Sequence, residues 1–220
     1  MDKALIIGAS GGIGSALCTA LADRARPVTR LSRADGFDLR DEASVAAALS
    51  PLSGPYTTII VATGALEIDG IGPEKSLRAL DANALAAQFA LNAIGPALVL
   101  KHALRLIPRD RPAHFAALSA RVGSIGDNAL GGWYGYRAAK AALNQLIHTA
   151  AIEIARSHPQ ACVVTLHPGT VATRFTAKYQ ASHPTIAAST AAHNLLETLE
   201  KLNPMQTGGF YDNKGQPIPW

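Results

Sequence analysis

The feature that most constrains this chain is a regular alternation of short, nearly continuous apolar runs with longer stretches of helical period. The runs cover residues 4–7, 27–31, 58–63, 114–119 and 162–167, with a weaker one at 209–211. Helical patterns fall between them near 12–24, 41–49, 81–107, 135–157 and 184–202. Strands that are apolar at every position are buried on both faces, and strands alternating with helices build a mostly parallel sheet covered on both sides. An α/β fold is therefore expected, a single doubly wound domain spanning 1–220 with six to seven strands. Asp41 and Asp81 suit helix N-caps, and Pro184 suits a first helical turn. Gly95-Pro96 predicts a kink inside the 81–107 stretch. Only five residues separate Leu31 from the extended segment Phe37–Leu39, too few for a parallel crossover. That segment is read as an ordered loop crossing the end of the sheet.

Composition narrows the function classes. A 48% hydrophobic chain of 220 residues forms one substantial core. Its net charge is +4, but the 20 Lys and Arg are dispersed without a block of five. A mildly positive soluble surface is expected, with no nucleic-acid partner. Cys18 and Cys162 each lie inside an apolar run and read as core residues of a reduced compartment. There is no run of 18 apolar residues, and MDKALIIGAS begins a strand at once without the flanks of a signal peptide. A cytoplasmic location and no membrane partner are expected. The seven histidines show no metal-ligand spacing, so no metal is expected.

The stretch GASGGIG, residues 8–14, carries two chemistries. Read as G-x-S-x-G it is a nucleophile elbow with Ser10 as nucleophile, and His167 with several downstream acids would complete a triad. Such an elbow normally follows a middle strand, whereas only seven residues precede Gly8. Read as Gly8-xxx-Gly12-x-Gly14 it is a phosphate cradle joining the first strand to the first helix, of Rossmann type. Gly8 then allows the turn, Gly12 the approach to phosphate, and Gly14 close packing of helix on strand. Ser10, Gly11 and Ile13 complete the cradle, with the Ser10 hydroxyl a donor to phosphate.

After the second strand, a site specific for NAD usually places an acid on the ribose hydroxyls. Here Ser32-Arg33 stands instead, which favours the extra phosphate of NADP(H) over NAD(H). Asp38, with Leu39 beside it, either accepts from the adenine amino group or caps the helix beginning near Asp41. The most specific chemical signal is Tyr136-xxx-Lys140. Residues four apart share a helix face roughly 6 Å apart. A lysine cation and an oxidised nicotinamide would both lower the tyrosine pKa from about 10 towards neutrality.

Together these residues resemble the short-chain dehydrogenase/reductase family over nearly the whole chain, from Gly8 to Trp220. Gly8-xxx-Gly12-x-Gly14 matches that family's glycine motif and Tyr136-xxx-Lys140 its catalytic pair. Ala62, Thr63 and Gly64 stand where the family has N-N-A-G, with both asparagines absent. Asn92 matches the asparagine that holds a relay water. Pro168, Gly169, Thr170, Val171 and Thr173 match the segment that contacts the nicotinamide carboxamide. SARVGSIGDNALGGWYGYRAAKAALN, LHPGTVATRF and GGFYDNKGQPIPW resemble the C-factor-like subgroup, which includes compact carbonyl reductases. The family's catalytic serine aligns with Ala120, leaving Ser119 and Ser124 as the nearby hydroxyls. The resemblance implies an NADP(H)-dependent carbonyl/alcohol oxidoreductase with a small-molecule substrate, working as a homodimer or homotetramer. It places a substrate loop at 172–190, with Trp133 and Tyr134 opposite. The competing class is a nucleotide-binding sensor or signalling protein with little turnover.

Overall fold

The computed structural model describes residues 2–173 and 184–220. Six strands form one sheet: β1 (Lys3–Ile7), β2 (Val28–Leu31), β3 (Tyr56–Val61), β4 (Ala113–Leu118), β5 (Ala161–His167) and β6 (Phe210–Asp212). Every neighbouring pair is parallel, in the order β2-β1-β3-β4-β5-β6. Among the described residues six α-helices connect them: α1 (Gly12–Asp23), α2 (Glu42–Leu49), α3 (Ala82–Phe89), α4 (Gly95–Ala103), α5 (Tyr134–Ile154) and α6 (Ala188–Lys201).

The apolar runs of the sequence become two cores. Leu5, Ile7, Ile59, Val61, Phe115, Ala117 and Val163 face Val45, Val99, Leu143 and Ile147 from α2, α4 and α5. Ala4, Ile6, Ile60, Ala116, Val164 and Leu166 face Leu17 and Leu21 of α1 and Leu195, Leu196 and Leu199 of α6. Both faces are covered, as a doubly wound sheet requires. The chain leaves β1 towards β2 on one side and builds β3 to β6 on the other. The point where its direction reverses lies between β1 and β3, where this class of sheet opens a crevice for ligands.

The short connection after β2 is the ordered loop the spacing predicts. Phe37 and Leu39 are buried in the α5-side core, and Leu39 packs so closely on Gly95 that a Cβ there would lie 2.5 Å from Leu39 Cγ. Asp41 and Asp81 cap as expected, accepting from the backbone N–H of Ala43 and Ala84. The 81–107 stretch is helical from Ala82 to Leu106 but not a regular α-helix throughout. Between α3 and α4 the backbone makes a π-turn over Ala90–Ile94, in which the Gly95 N–H reaches the Ala90 carbonyl. Pro96 brings no N–H, so the carbonyl four residues before it, that of Asn92, receives no donor from it. This stretch is long and apolar enough to cross a membrane, and it buries Gln88, Asn92, Val99 and Leu100 against the rest of the domain.

Pro184 does not begin a helix. Ile186 is held extended by a parallel bridge to Val171, donating to the Thr170 carbonyl at 2.9 Å and accepting from Ala172 N–H at 2.9 Å. The helix therefore waits for Ala188. Of the expected substrate loop, residues 174–183 lie outside the described residues.

Candidate active site

The glycine loop stands at the β1/β3 crevice. Gly8 takes φ +84°, and a Cβ there would lie 2.9 Å from both the Ala62 carbonyl oxygen and Thr63 Cγ2. The Gly8 and Ala9 N–H groups donate to the Leu31 carbonyl at 2.8 and 3.1 Å, which ties the loop to the end of β2. A Cβ on Gly14 would collide with the Gly8 carbonyl, and one on Gly12 would lie 2.6 Å from Thr173 Cγ2. The loop thus meets Ala62, Thr63 and Thr173, three residues that only the family resemblance joined to it. Ser10, Gly11 and Gly12 are exposed. Helix α1 begins at Gly12 with no side-chain cap and no acidic residue in its first turn. Exposed N–H groups at a helix start, cleared of side chains, fit a dinucleotide pyrophosphate.

The same geometry removes the hydrolase alternative. Ser10 follows β1 and His167 ends β5, three strand spacings away in the sheet. At about 4.8 Å per spacing that is roughly 14 Å, beyond any direct proton transfer.

Tyr136 and Lys140 lie one turn apart on the buried face of α5, at 5% and 2% exposure. Lys140 Nζ donates to the Leu118 carbonyl at 2.8 Å and sits 5.8 Å from the centre of the Tyr136 ring. The 121–123 turn after β4 presses on the lysine, since a Cβ on Gly123 would lie 2.7 Å from Lys140 Cβ. Burial pulls the Lys140 pKa down to about 7 and pushes the Tyr136 phenol above its ordinary range. The expected lowering of the tyrosine pKa is therefore not a property of the ligand-free site. Here desolvation outweighs attraction, because a depressed lysine lends little charge and lies over the ring.

Asn92, fully buried in the π-turn, has its side chain committed to the loop after β3. Its Oδ1 accepts from Ala65 N–H at 3.1 Å, while Nδ2 donates to the Ala65 carbonyl at 2.9 Å and to Gln88 Oε1 at 2.7 Å. Gln88 Nε2 in turn donates to the Leu66 carbonyl at 3.0 Å. Both amide protons of Asn92 are used, so a relay water would depend on its main-chain carbonyl. Gln88 is a buried partner of Asn92 that the sequence reading missed; its only signal was the four-residue spacing from Asn92.

Ser119 and Ser124 are both buried. Ser119 Oγ has no hydrogen-bond partner among the described residues, whereas Ser124 Oγ accepts from Asp127 N–H at 3.1 Å. Of the two, Ser119 has the uncommitted hydroxyl. Beyond β5, Gly169 takes φ +82° and Asn213 Nδ2 donates to the Pro168 carbonyl at 3.2 Å. His167, just before, has its pKa brought down to about 4, mainly by burial and further by the Arg121 charge.

The end of β2 holds a group the sequence reading did not weigh. Asp35 Oδ2 accepts from both the backbone N–H and the hydroxyl of Ser32 at 2.9 Å, so that hydroxyl is engaged. Arg33, two residues earlier in the chain, is exposed. Asp38 accepts from Arg40 backbone and side chain, contacts that hold its pKa below the usual range with a smaller contribution from the Arg33 charge. Its own N–H donates to Ser44 Oγ, and its carbonyl accepts from Asp41 N–H. It orders the approach to α2, while the N-cap is Asp41 itself.

A glycine cradle at the sheet's reversal point and a buried Tyr-Lys pair have the chemistry that a dinucleotide-dependent oxidoreductase needs. In comparison with known proteins, a family model described as enoyl-(acyl carrier protein) reductase matches residues 14–203. The chain belongs to the short-chain dehydrogenase/reductase family of oxidoreductases. It is 29% identical over the full length of both chains to 1-hydroxy-2-glutathionyl-2-methyl-3-butene dehydrogenase of Rhodococcus sp. (strain AD45). It is 32% identical to the C-signal protein of Myxococcus xanthus, over 62% of this chain and 78% of that one. Among solved structures, the carbonyl reductase Sniffer of D. melanogaster superposes with a TM-score of 0.85 at 22% identity, covering both chains fully. An NADPH-bound carbonyl reductase from chicken fatty liver gives a TM-score of 0.85 at 19% identity, covering 100% of this chain and 94% of that one.

Proposed function

We propose that this protein is an NADP(H)-dependent oxidoreductase that interconverts an aldehyde or ketone with its alcohol. The observation that carries this reading is the burial of Tyr136 and Lys140 together on α5, beside the carboxyl end of β4. When bound, the nicotinamide supplies or accepts the hydride. The first turn of α1 and Gly8 to Gly14 would hold its pyrophosphate, Thr173 and the 168–171 segment its nicotinamide end, and Arg33 its additional phosphate. Tyr136 gives its phenolic proton to the carbonyl oxygen in reduction and takes it back in oxidation. As the ammonium, Lys140, fixed by the Leu118 carbonyl, has two further N–H donors for the ribose, and its charge favours the phenolate. Ser119 offers the hydroxyl that orients the carbonyl in place of the residue lost at Ala120.

A sensor with little turnover is the second reading, and Ala120 is the specific observation that favours it, because a methyl group cannot hydrogen-bond a substrate oxygen. Titration of NADPH and NADH, followed by fluorescence, with Arg33→Ala alongside, tests the cofactor half of the proposal. Binding of NADPH that Arg33→Ala weakens more than it weakens NADH is the expected result. Failure of both nucleotides to bind would remove the oxidoreductase reading.

A further inference from the structure

Helix α5, which carries Tyr136 and Lys140, starts without a cap of its own. Its N-cap position is Trp133, at φ 52° with no side-chain cap bond, after Gly131 and Gly132 at φ 65° and 67°. Three successive residues at positive φ, one of them bulky, make a strained turn that needs outside support. That support comes from Glu74, in the connection between β3 and α3. The Glu74 carbonyl accepts from Trp133 N–H at 2.6 Å, and Glu74 Oε2 accepts from Gly135 N–H at 3.0 Å. The residue is buried at 7% exposure. The fit is close, since a Cβ on Gly135 would lie 2.8 Å from Glu74 Oε1 and 3.3 Å from Gln88 Cγ. One residue thus grips both sides of Trp133, whose ring stands edge-on to that of Tyr136 with centroids 6.4 Å apart.

We propose that Glu74 is a positioning residue: it pins the 131–135 turn, and so sets both the first turn of α5 and the Trp133 wall against which the carbonyl is presented to Tyr136. This rests on the reading of Tyr136 as proton donor. The carboxylate suits the positive end of the helix dipole, but what the geometry demands is reach, because a buried Gly135 N–H left without an acceptor is costly.

Reach and charge are separable. Glu74→Asp keeps the charge and is about 1.5 Å shorter; Glu74→Gln keeps the reach and loses the charge. Trp133 and Trp220 are the only tryptophans, so a Trp220→Phe background leaves Trp133 as the reporter. In that background Glu74→Asp is expected to at least double acrylamide quenching of Trp133 in the nucleotide-free protein. It should also lower kcat about tenfold, on the scale of a sub-ångström misplacement of a reacting group. Nucleotide Kd should stay within twofold, because the glycine loop and Lys140 lie outside the pin. Glu74→Gln is expected to stay within twofold of the parent in all three. Should Glu74→Asp not fold, Gly135→Ala, whose methyl would push against Oε1, is expected to move quenching and kcat in the same direction. Unchanged quenching in the shortened or crowded variant, or a greater loss in Glu74→Gln than in Glu74→Asp, overturns the proposal. Quenching is read without turnover, so a parent that reduces no carbonyl counts against the oxidoreductase reading while the pin is still tested.

Discussion

On the α1 and α6 side of the sheet, Ala4, Ile6, Ala116, Val164 and Leu166 meet Leu17, Leu21, Leu195 and Leu199, with the hydroxyls of Thr58 and Thr198 buried beside them. On the α5 side the same strands and their neighbours bury Gln88, Asn92, Ser119, Lys140, Asn144 and Thr165 as well as aliphatics. Several of these polar atoms, Ser119 Oγ, Thr165 Oγ1 and both amide atoms of Asn144, have no hydrogen-bond partner among the described residues. Burying polar groups without partners destabilises a fold. Both faces of the sheet therefore carry an apolar core, and the α5 face adds a polar layer around Tyr136 and Lys140.

The sharpest way to break this comparison is at Lys140. Lys140→Met is expected to lower carbonyl turnover by about 10²-fold or more, the scale of a lost acid-base partner. It should also remove a pH dependence. With its folded pKa near 7 and an unfolded value of about 10.4, the lysine is more protonated in the unfolded chain between those limits. Stability conferred by the neutral form therefore rises with pH across that window. The melting temperature of the nucleotide-free parent should climb between about pH 7 and pH 9 relative to Lys140→Met; parallel curves would show that Lys140 is not desolvated.

Leu196→Ala, on the opposite face at 2% exposure, should cost about 2–5 kcal/mol of stability while leaving kcat within twofold at a temperature where the variant is folded. Urea unfolding and turnover on one preparation check it, and a large fall in kcat would show that the two faces are not separable. Gly14→Ala, whose methyl meets the Gly8 carbonyl, should cost about 1–3 kcal/mol by overpacking and weaken nucleotide binding at least tenfold, as read by calorimetric titration. The smallest effect is expected at Arg33→Ala: about tenfold on NADPH and little on NADH, because an exposed arginine would meet the extra phosphate where water screens the pair.

Much of this was legible in the sequence. All five strong apolar runs became strands, since burial on both faces leaves a signal at every residue, and Tyr136-xxx-Lys140 and Gly8-xxx-Gly12-x-Gly14 carry their geometry in their spacing. What escaped was support supplied across the chain. Glu74 lies in an irregular stretch with no period, and its bonds to Trp133 and Gly135 exist only once the β3–α3 connection meets the start of α5. Asp35 becomes a partner of Ser32 only through a tight turn, and Pro184 misleads because pairing of Ile186 with Val171 overrides its local preference. Spacing likewise reveals a charge near Tyr136 but not the depth of its burial, which raises the phenol's pKa.

The central claim is that Tyr136 serves carbonyl chemistry in a nicotinamide-dependent enzyme. It is tested most directly by following NADPH consumption with a panel of small aldehydes and ketones, comparing the parent with Tyr136→Phe at matched nucleotide occupancy. The expected result is carbonyl-dependent oxidation by the parent that falls by about 10³-fold in Tyr136→Phe, with nucleotide Kd little changed. Equal rates in the two proteins, or tight nucleotide binding with no carbonyl-dependent turnover in either, would contradict it and leave a nucleotide sensor in its place.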